Sequence, residues 1–148
     1  MKKDMKILTL SIKQKYFDEI LAGTKKVETR EITPLNSHKY GVYVIYEGDK
    51  AVAELKTTKE LEEYGSESTA EEFVFEFVPK KYDALKLITG AYNLPKRPYM
   101  IVEVKDENLF WEADEDGNQI TYELNNITYV MTIIDYTLGK VLEVQLYK

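Results

Sequence analysis

The stretch LTLSIKQKYFDEILAGTKKVETR, residues 8–30, decides the expected fold. Residues 6–12 alternate between two faces, which is typical of a strand with one buried face. Residues 13–22 place apolar side chains at helical spacing, and Gly23 follows where a helix commonly ends. Residues 25–32 return to alternation, with charged side chains on one face. The sequence therefore predicts a β-α-β unit in the first thirty-two residues.

Most of the remaining chain predicts strands separated by short turns. Val, Ile, Tyr and Leu recur at strand spacing, and Gly-Asp and Asp-Gly steps mark tight turns between them. In the last strand, Leu142, Val144 and Leu146 are expected to face the core. Strands are predicted over residues 40–47, 51–56, 99–104, 109–113, 119–124, 127–136 and 140–147, the last two pairing across Gly139.

Residues 58–92 form a segment, acidic in its first part, that predicts helices. Ser68-Thr69-Ala70-Glu71 fits a capping box at the start of one helix. Residues 80–89 carry apolar side chains at helical spacing and predict another. Between them, Phe75 and Phe77 belong to an alternating pattern that fits either a strand or a packed helix.

These elements predict an α+β fold that is mainly β. Too few helices separate the strands for a parallel doubly wound sheet. We expect a small antiparallel or mixed β-barrel with two or three short helices at one side, in which residues 1–148 form a single domain. The acidic helical segment around residues 58–92 is expected as an insert in this domain.

The composition limits the chemistry that the protein can support. The 148 residues include no Cys and one His, which excludes disulfides, thiolate catalysis and Cys- or multi-His-ligated metals. The formal net charge of -6 disfavours broad contact with duplex phosphates. The first forty residues nevertheless carry nine Lys and Arg against five Asp and Glu, so an anionic ligand is expected there. No apolar run reaches the length of a signal peptide's core or the ~18 to 20 residues of a membrane span, which predicts a cytoplasmic protein without membrane contact.

A calcium-loop pattern in the sequence is incomplete. Asp114, Asp116 and Asn118 occupy three ligand positions of such a loop, but Gln119 stands where Gly is required and Asn125 where Glu is required. The segment is therefore predicted to be a plain hairpin turn. No metal site or cofactor is expected in the chain.

The segment Gly23-Thr24-Lys25-Lys26-Val27-Glu28-Thr29-Arg30 is the strongest candidate for a functional site. On the predicted strand, Glu28 and Arg30 lie on one face about 7 Å apart, and Lys25 at the preceding turn can reach the same space. A carboxylate accepts hydrogen bonds from the amino or imino groups of a base, whereas Lys and Arg donate to carbonyls and phosphates. The same residues also fit an internal ion pair that only stabilises the turn.

Residues 8–30 resemble the N-terminal signature of the ASCH domain family. The family's Gly-x-Lys-x-x-Glu-x-Arg pattern is met at Gly23, Lys25, Glu28 and Arg30, after a matching strand and helix. The resemblance implies a PUA-like β-barrel with a cleft lined by this motif. It also implies RNA binding and, in some members, chemistry on modified nucleosides.

One branch of this family hydrolyses N4-acetylcytidine, and the chain differs from it at one position. In that branch, a Lys two places after the Gly is paired with a Thr five places after it as the nucleophile. Lys25 matches the Lys, but Glu28 stands at the position of the Thr. Thr24 and Thr29 are out of register, and a shift of one residue on a strand turns a side chain to the opposite face. The chain therefore departs from the pattern that this reaction uses.

Three functions are consistent with the sequence. The first, which we expect, is a module that binds RNA, a nucleotide or a nucleoside in a cleft lined by Gly23, Lys25, Glu28 and Arg30, with tyrosines stacking on bases. The second is a hydrolase acting on a modified nucleoside, with Glu28 as the general base, and Lys25 and Arg30 stabilising negative charge. The third is a module that contacts a basic protein partner through the acidic segment or the barrel surface.

Overall fold

The computed structural model describes residues 4–67, 74–91, 93–124 and 127–147. Strand residues predominate, at 53% against 16% helix, so the predicted mainly β fold is confirmed. No helix within these ranges is long and apolar enough to span a membrane. In chain order the elements are β1 Ile7–Ser11, α1 Gln14–Ala22, β2 Val27–Ile32, α2 Ser37–Tyr40, β3 Gly41–Glu47, β4 Lys50–Leu55, α3 Thr58–Glu67, β5 Val74–Pro79, β6 Ala84–Ile88, β7 Tyr99–Trp111, β8 Thr121–Leu124, β9 Ile127–Val130 and β10 Thr132–Gln145.

The strands form sheets of five, three and two strands. The order in the largest is β1-β6-β7-β10-β2, with β1 parallel to β6 and β6 antiparallel to β7. The second sheet has the order β4-β3-β5 and is antiparallel, and β8 pairs antiparallel with β9. Over the described residues none of these sheets closes into a barrel, so the predicted barrel stays a prediction.

Contacts divide the chain into two compact units. The first unit comprises Met1–Thr29, Lys81–Asn108 and Asp135–Lys148, and the second comprises Arg30–Lys80 and Leu109–Ile134. Strands β2, β7 and β10 each continue from one unit into the other along the chain. The assignment of the whole chain to one domain stays a prediction.

The β-α-β start of the chain has the predicted order of elements. Strand β1 buries alternate residues, as one buried face requires. Helix α1 buries Phe17 and Ile20, whereas the other members of its predicted apolar stripe, Tyr16 and Leu21, are each 39% exposed. Because α1 has nine residues, its stability depends on the buried face and not on helix propensity alone.

The second unit contains the predicted hairpin, formed by β3 and β4, and a core of aromatic and aliphatic side chains. The core consists of buried Tyr43, Ile45, Leu61 and Tyr129, with partly buried residues of β4, β5 and α3 packed against it. The phenylalanine-rich segment is strand β5, which pairs with β3. The acidic segment begins with a helix, α3, which ends before the capping box at residues 68–71 where a helix was predicted to start. That capping box lies outside the described residues.

The predicted helix over residues 80–89 is wrong, because Ala84–Ile88 forms strand β6. This strand lies between β1 and β7 in the large sheet. Ala84, Leu85 and Leu87 are all fully buried. A strand that is covered on both faces carries a continuous apolar run, and periodicity does not separate such a run from a buried helix.

The predicted hairpin across Gly139 is also wrong. Residues 132–145 form one continuous strand, β10, and the residues before Met131 form β9, which pairs with β8. A Cβ atom at Gly139 would lie against the Glu103 side chain, at 3.2 Å from its Cβ. The glycine therefore provides room for a close neighbour within a strand instead of a turn.

The last strand, β10, does not bury the apolar side chains that its alternating sequence predicts to face the core. Leu142, Val144 and Leu146 are 47%, 42% and 37% exposed, so the expectation that they face a core is wrong. The amide of Leu138 donates to the carbonyl of Lys26, just before β2 begins. The end of β10 therefore extends past the start of β2.

The segment with the incomplete calcium pattern is a turn, as predicted. Asp114 Oδ1 accepts hydrogen bonds from the backbone amides of Asp116 and Asn118 at 3.0 and 2.9 Å. Ala113 and Gln119 form an isolated bridge that closes the turn. The carboxylate thus stabilises the backbone of the turn, which is a common role of Asp in loops.

Candidate functional site

The turn that carries the Gly-x-Lys-x-x-Glu-x-Arg motif is held by the end of helix α1. Gly23 ends the helix in the left-handed region, with φ of 82°, and its amide donates to the carbonyl of Ile20 at 3.1 Å. The carbonyl of Glu19 accepts hydrogen bonds from the amides of Thr24 and Lys25 at 3.0 and 3.1 Å. Helix α1 therefore determines where the chain turns and where the backbone of Lys25 lies.

Lys25 and Glu28 are brought together by this turn. Lys25 Nζ lies 3.4 Å from Glu28 Oε1, and the two side chains are 23% and 6% exposed. Lys25 Nζ also donates to the carbonyl of Val27 at 2.6 Å. A buried carboxylate requires a charged or hydrogen-bonding partner, and Lys25 supplies one while part of its side chain remains in contact with solvent.

An aromatic ring lies beside the Lys25 ammonium group. Lys25 Nζ is 5.4 Å from the ring centroid of Tyr16, and Lys15 Nζ is 5.7 Å from the same ring. Both distances fit a cation–π contact. Lys25 therefore contacts both the buried carboxylate of Glu28 and an aromatic ring near the start of α1, which a second cation, Lys15, also approaches.

Arg30 lies two residues after Glu28 on β2, at the start of the second unit. The burial pattern of β2 places Glu28, Arg30 and Ile32 on its more buried face and Val27, Thr29 and Glu31 on its exposed face. Arg30 is half-buried. The alternation predicted for this strand is thus present, and a role of Arg30 in ligand binding stays a prediction.

The two threonines near the motif are engaged elsewhere. Thr29 Oγ1 donates to Asp135 Oδ1 at 2.5 Å from the exposed face of β2. Thr24 Oγ1 donates to the carbonyl of Glu19 at 3.1 Å. Thr29 lies on the opposite face of β2 from Glu28, and Thr24 lies in the turn before the strand, so the geometry does not restore the threonine position of the acetylcytidine hydrolases.

A pocket in the second unit was not predicted from the sequence. It has a volume of about 460 Å³ and lies among strands β3, β5, β7 and β9. Its wall includes Tyr43, which meets Phe75 and Phe77 edge-on at centroid distances of 5.8 and 5.2 Å, and also Tyr129 and Trp111. Gly23, Lys25, Glu28 and Arg30 are not among the residues that line it.

Glu76 borders this pocket, but its carboxylate is held on another face of the sheet. Phe75 and Phe77 pack into the core cluster, and the residue between them on a strand points to the opposite face. Glu76 Oε2 accepts a hydrogen bond from the Tyr46 hydroxyl at 3.2 Å. This hydrogen bond, together with the negative charge of Glu76, raises the pKa of Tyr46 above its usual value, because an ionised phenolate would lose the bond and face a carboxylate.

The sequence does not predict this pocket, because the residues that line it come from distant parts of the chain. The alternating phenylalanines of β5 and the single tryptophan, Trp111, were the available signals. Phenylalanine and tryptophan side chains are also common in an ordinary core, so neither signal indicates a cavity. Only the packing of four strands reveals that these rings border a cavity.

The motif and the pocket are two features of the described residues with binding potential. The motif offers a cation and a carboxylate at a tight turn, and the pocket offers aromatic rings. In comparisons with known proteins, no family model matches the chain, and no curated protein and no solved structure matches it. The resemblance to the ASCH family accordingly rests on residues 8–30.

Proposed function

We propose that the protein is an ASCH-like module that binds RNA or a nucleotide through Gly23, Lys25, Glu28 and Arg30. A PUA-like barrel and a cytoplasmic location belong to the same proposal. The observation that carries it is the pair formed by Lys25 and Glu28, an ammonium group 3.4 Å from a buried carboxylate. The space beside Gly23 is open, because a Cβ atom placed there would have no neighbour within 4 Å.

The chemistry of this pair suits a nucleotide. A phosphate or base carbonyl accepts hydrogen bonds from Lys25, and the amino or imino group of a base donates to Glu28. Arg30 adds a second cation on the same face of β2 as Glu28. Tyr16, which is 39% exposed beside Lys25, offers a ring for stacking. The net charge of -6 favours a short ligand held at one place over a long duplex.

Lys25→Ala should weaken the binding of a short single-stranded RNA by roughly 10- to 150-fold, because a hydrogen bond to a charged group contributes roughly 1.5 to 3 kcal/mol. Arg30→Ala should weaken it by a similar factor. The measurement is fluorescence anisotropy with a labelled oligonucleotide of about eight nucleotides. In a salt titration, loss of one phosphate contact should reduce the slope of log K against log salt by about 0.7.

Lys50→Ala is the matched control for this measurement. It also removes one positive charge, but from the exposed start of β4. Its affinity should stay within a factor of two of the unchanged protein. Equal weakening by Lys25→Ala and Lys50→Ala would show a general charge effect, and unchanged affinity in both Lys25→Ala and Arg30→Ala would contradict the proposal.

The burial of Glu28 beside Lys25 also favours a second candidate, a hydrolase acting on a modified nucleoside. Glu28 would take a proton from a water that attacks the acyl carbon, and Lys25 and Arg30 would stabilise the oxyanion. If so, purified protein should release the free acid from N-acylated nucleosides, and Glu28→Gln should slow this at least about 100-fold. Chromatography of the products measures it. Turnover no faster than that of Glu28→Gln would exclude hydrolysis of the nucleosides tested.

A further inference from the structure

The pocket of the second unit has the size and lining of a small-molecule site. Its volume of about 460 Å³ falls within the ~300 to 1,000 Å³ that is usual for ligand pockets. Aromatic rings from four strands border it, among them Tyr43, Phe75, Tyr129 and Trp111. Trp111 is 67% exposed, so one aromatic wall is open to solvent. A planar ring entering the pocket would find several faces and edges of other rings to pack against.

The charges around the pocket favour an uncharged ligand. Among the described residues that line it, Glu76 is the only charged one, and its carboxylate accepts a hydrogen bond from Tyr46 on the opposite face of β5 from Phe75 and Phe77. An ion inside the pocket would lose its hydration without gaining a partner of opposite charge. Phosphate groups are therefore excluded from the interior, in contrast to the motif in the first unit.

Polar side chains at the pocket are suited to the edge of a heterocycle. Gln119 and Thr128 border it and are both exposed. A carboxamide both donates and accepts hydrogen bonds, and so does a hydroxyl. These groups complement the mixed donors and acceptors of a base edge.

We infer that this pocket is a separate binding site for an uncharged nucleobase, which stacks on Trp111 and packs among Tyr43, Phe75 and Tyr129. The choice of a nucleobase rests on the proposed function, whereas the preference for an uncharged planar ring rests on the pocket alone. The site belongs to the second unit and does not use Lys25 or Glu28.

Trp111 reports directly on this site because it is the single tryptophan of the chain. The full-length protein is titrated with adenosine, guanosine, cytidine and uridine, and the emission of Trp111 is recorded. At least one nucleoside should change the emission saturably. Ribose should not, since it lacks the ring that stacks. No saturable change with any of the four nucleosides would overturn the inference.

Two neighbouring aromatic residues provide a matched pair of variants. Trp111→Ala should weaken nucleoside binding at least fivefold. Because this variant has no tryptophan, its affinity is measured by calorimetry. Phe110→Ala should leave the affinity within a factor of two, because Phe110 is 51% exposed and does not line the pocket. Both positions are exposed, so both variants should fold, which circular dichroism can verify. Equal weakening by the two variants would contradict binding in the pocket.

Lys25→Ala separates this inference from the proposed function. In that variant, nucleosides should still change the Trp111 emission as before, while RNA binds more weakly. If RNA binding depends on Lys25 but no nucleoside affects Trp111, the pocket inference alone fails. If nucleosides bind at Trp111 but RNA binding does not depend on Lys25 or Arg30, the motif proposal alone fails.

Discussion

Replacing Phe17 by Ala should lower the free energy of unfolding by about 3 to 5 kcal/mol, as measured by urea denaturation. Phe17 is fully buried, and with Ile20 it forms the buried face of helix α1. A nine-residue helix is too short to be stable by itself in water, so removal of this ring affects the whole helix. Because α1 holds the turn at Gly23, the variant should also bind RNA more weakly than Lys25→Ala does.

Tyr16→Ala is the matched control, since it removes the neighbouring ring of the same helix. Tyr16 is 39% exposed, and its contact with Lys25 Nζ at 5.4 Å is of the kind that contributes about 0.5 to 1 kcal/mol at exposed sites. Its expected loss of stability is therefore at most about 1 kcal/mol. Similar losses from Phe17→Ala and Tyr16→Ala would show that the buried face of α1 is not what stabilises it.

Gly41→Ala should destabilise the protein by about 3 kcal/mol, near the upper end of the usual cost of overpacking. A Cβ atom at this position would collide with the carbonyl oxygen of Val78 and would lie 2.6 Å from Cζ of Phe77. The backbone of Gly41 is extended, so the cost comes from collision and not from an unusual φ. Residues 41 and 79 are paired where β3 meets β5, and the β5 backbone cannot move away without breaking this pairing. Thermal unfolding followed by circular dichroism measures the effect.

The control for Gly41→Ala is Gly139→Ala, which also introduces a methyl group into a strand. Its closest neighbours are atoms of the Glu103 side chain, which can rotate aside. The loss of stability should be smaller than that of Gly41→Ala. Combining Glu103→Ala with Gly139→Ala in a double variant should remove most of this loss. Since Phe77 lines the pocket, Gly41→Ala should also weaken the Trp111 response to nucleosides, whereas Gly139→Ala should not. A larger loss from Gly139→Ala would contradict this account.

The elements that were predicted correctly are those whose patterns depend on neighbours along the chain. Alternation in β1 and β2, the glycine at the end of α1 and the turn at Asp114 all follow from local geometry. The hairpin of β3 and β4 has an equally local signal. The mainly β character of the fold follows from these patterns together.

The errors arose where burial depends on distant segments. Residues 84–88 form a strand that is buried on both faces, and the apolar run that results does not separate a strand from a buried helix. Gly139 fits a turn by its local sequence, but in the structure it lies within a strand, beside the Glu103 side chain. The end of β10 alternates like a buried strand, yet its apolar side chains are exposed where the strand extends past the start of β2.

The candidate motif follows from local sequence, whereas the pocket depends on distant segments of the chain. From residues 23–30 alone, the chain determined that a glycine-ended helix leads into a strand with Glu28 and Arg30 on one face, because turn chemistry and strand periodicity act over a few residues. Only the tertiary structure decided that Glu28 is buried against Lys25, and that rings from β3, β5, β7 and β9 surround a cavity. Burial and cavities depend on what packs from elsewhere in the chain, which no local pattern specifies.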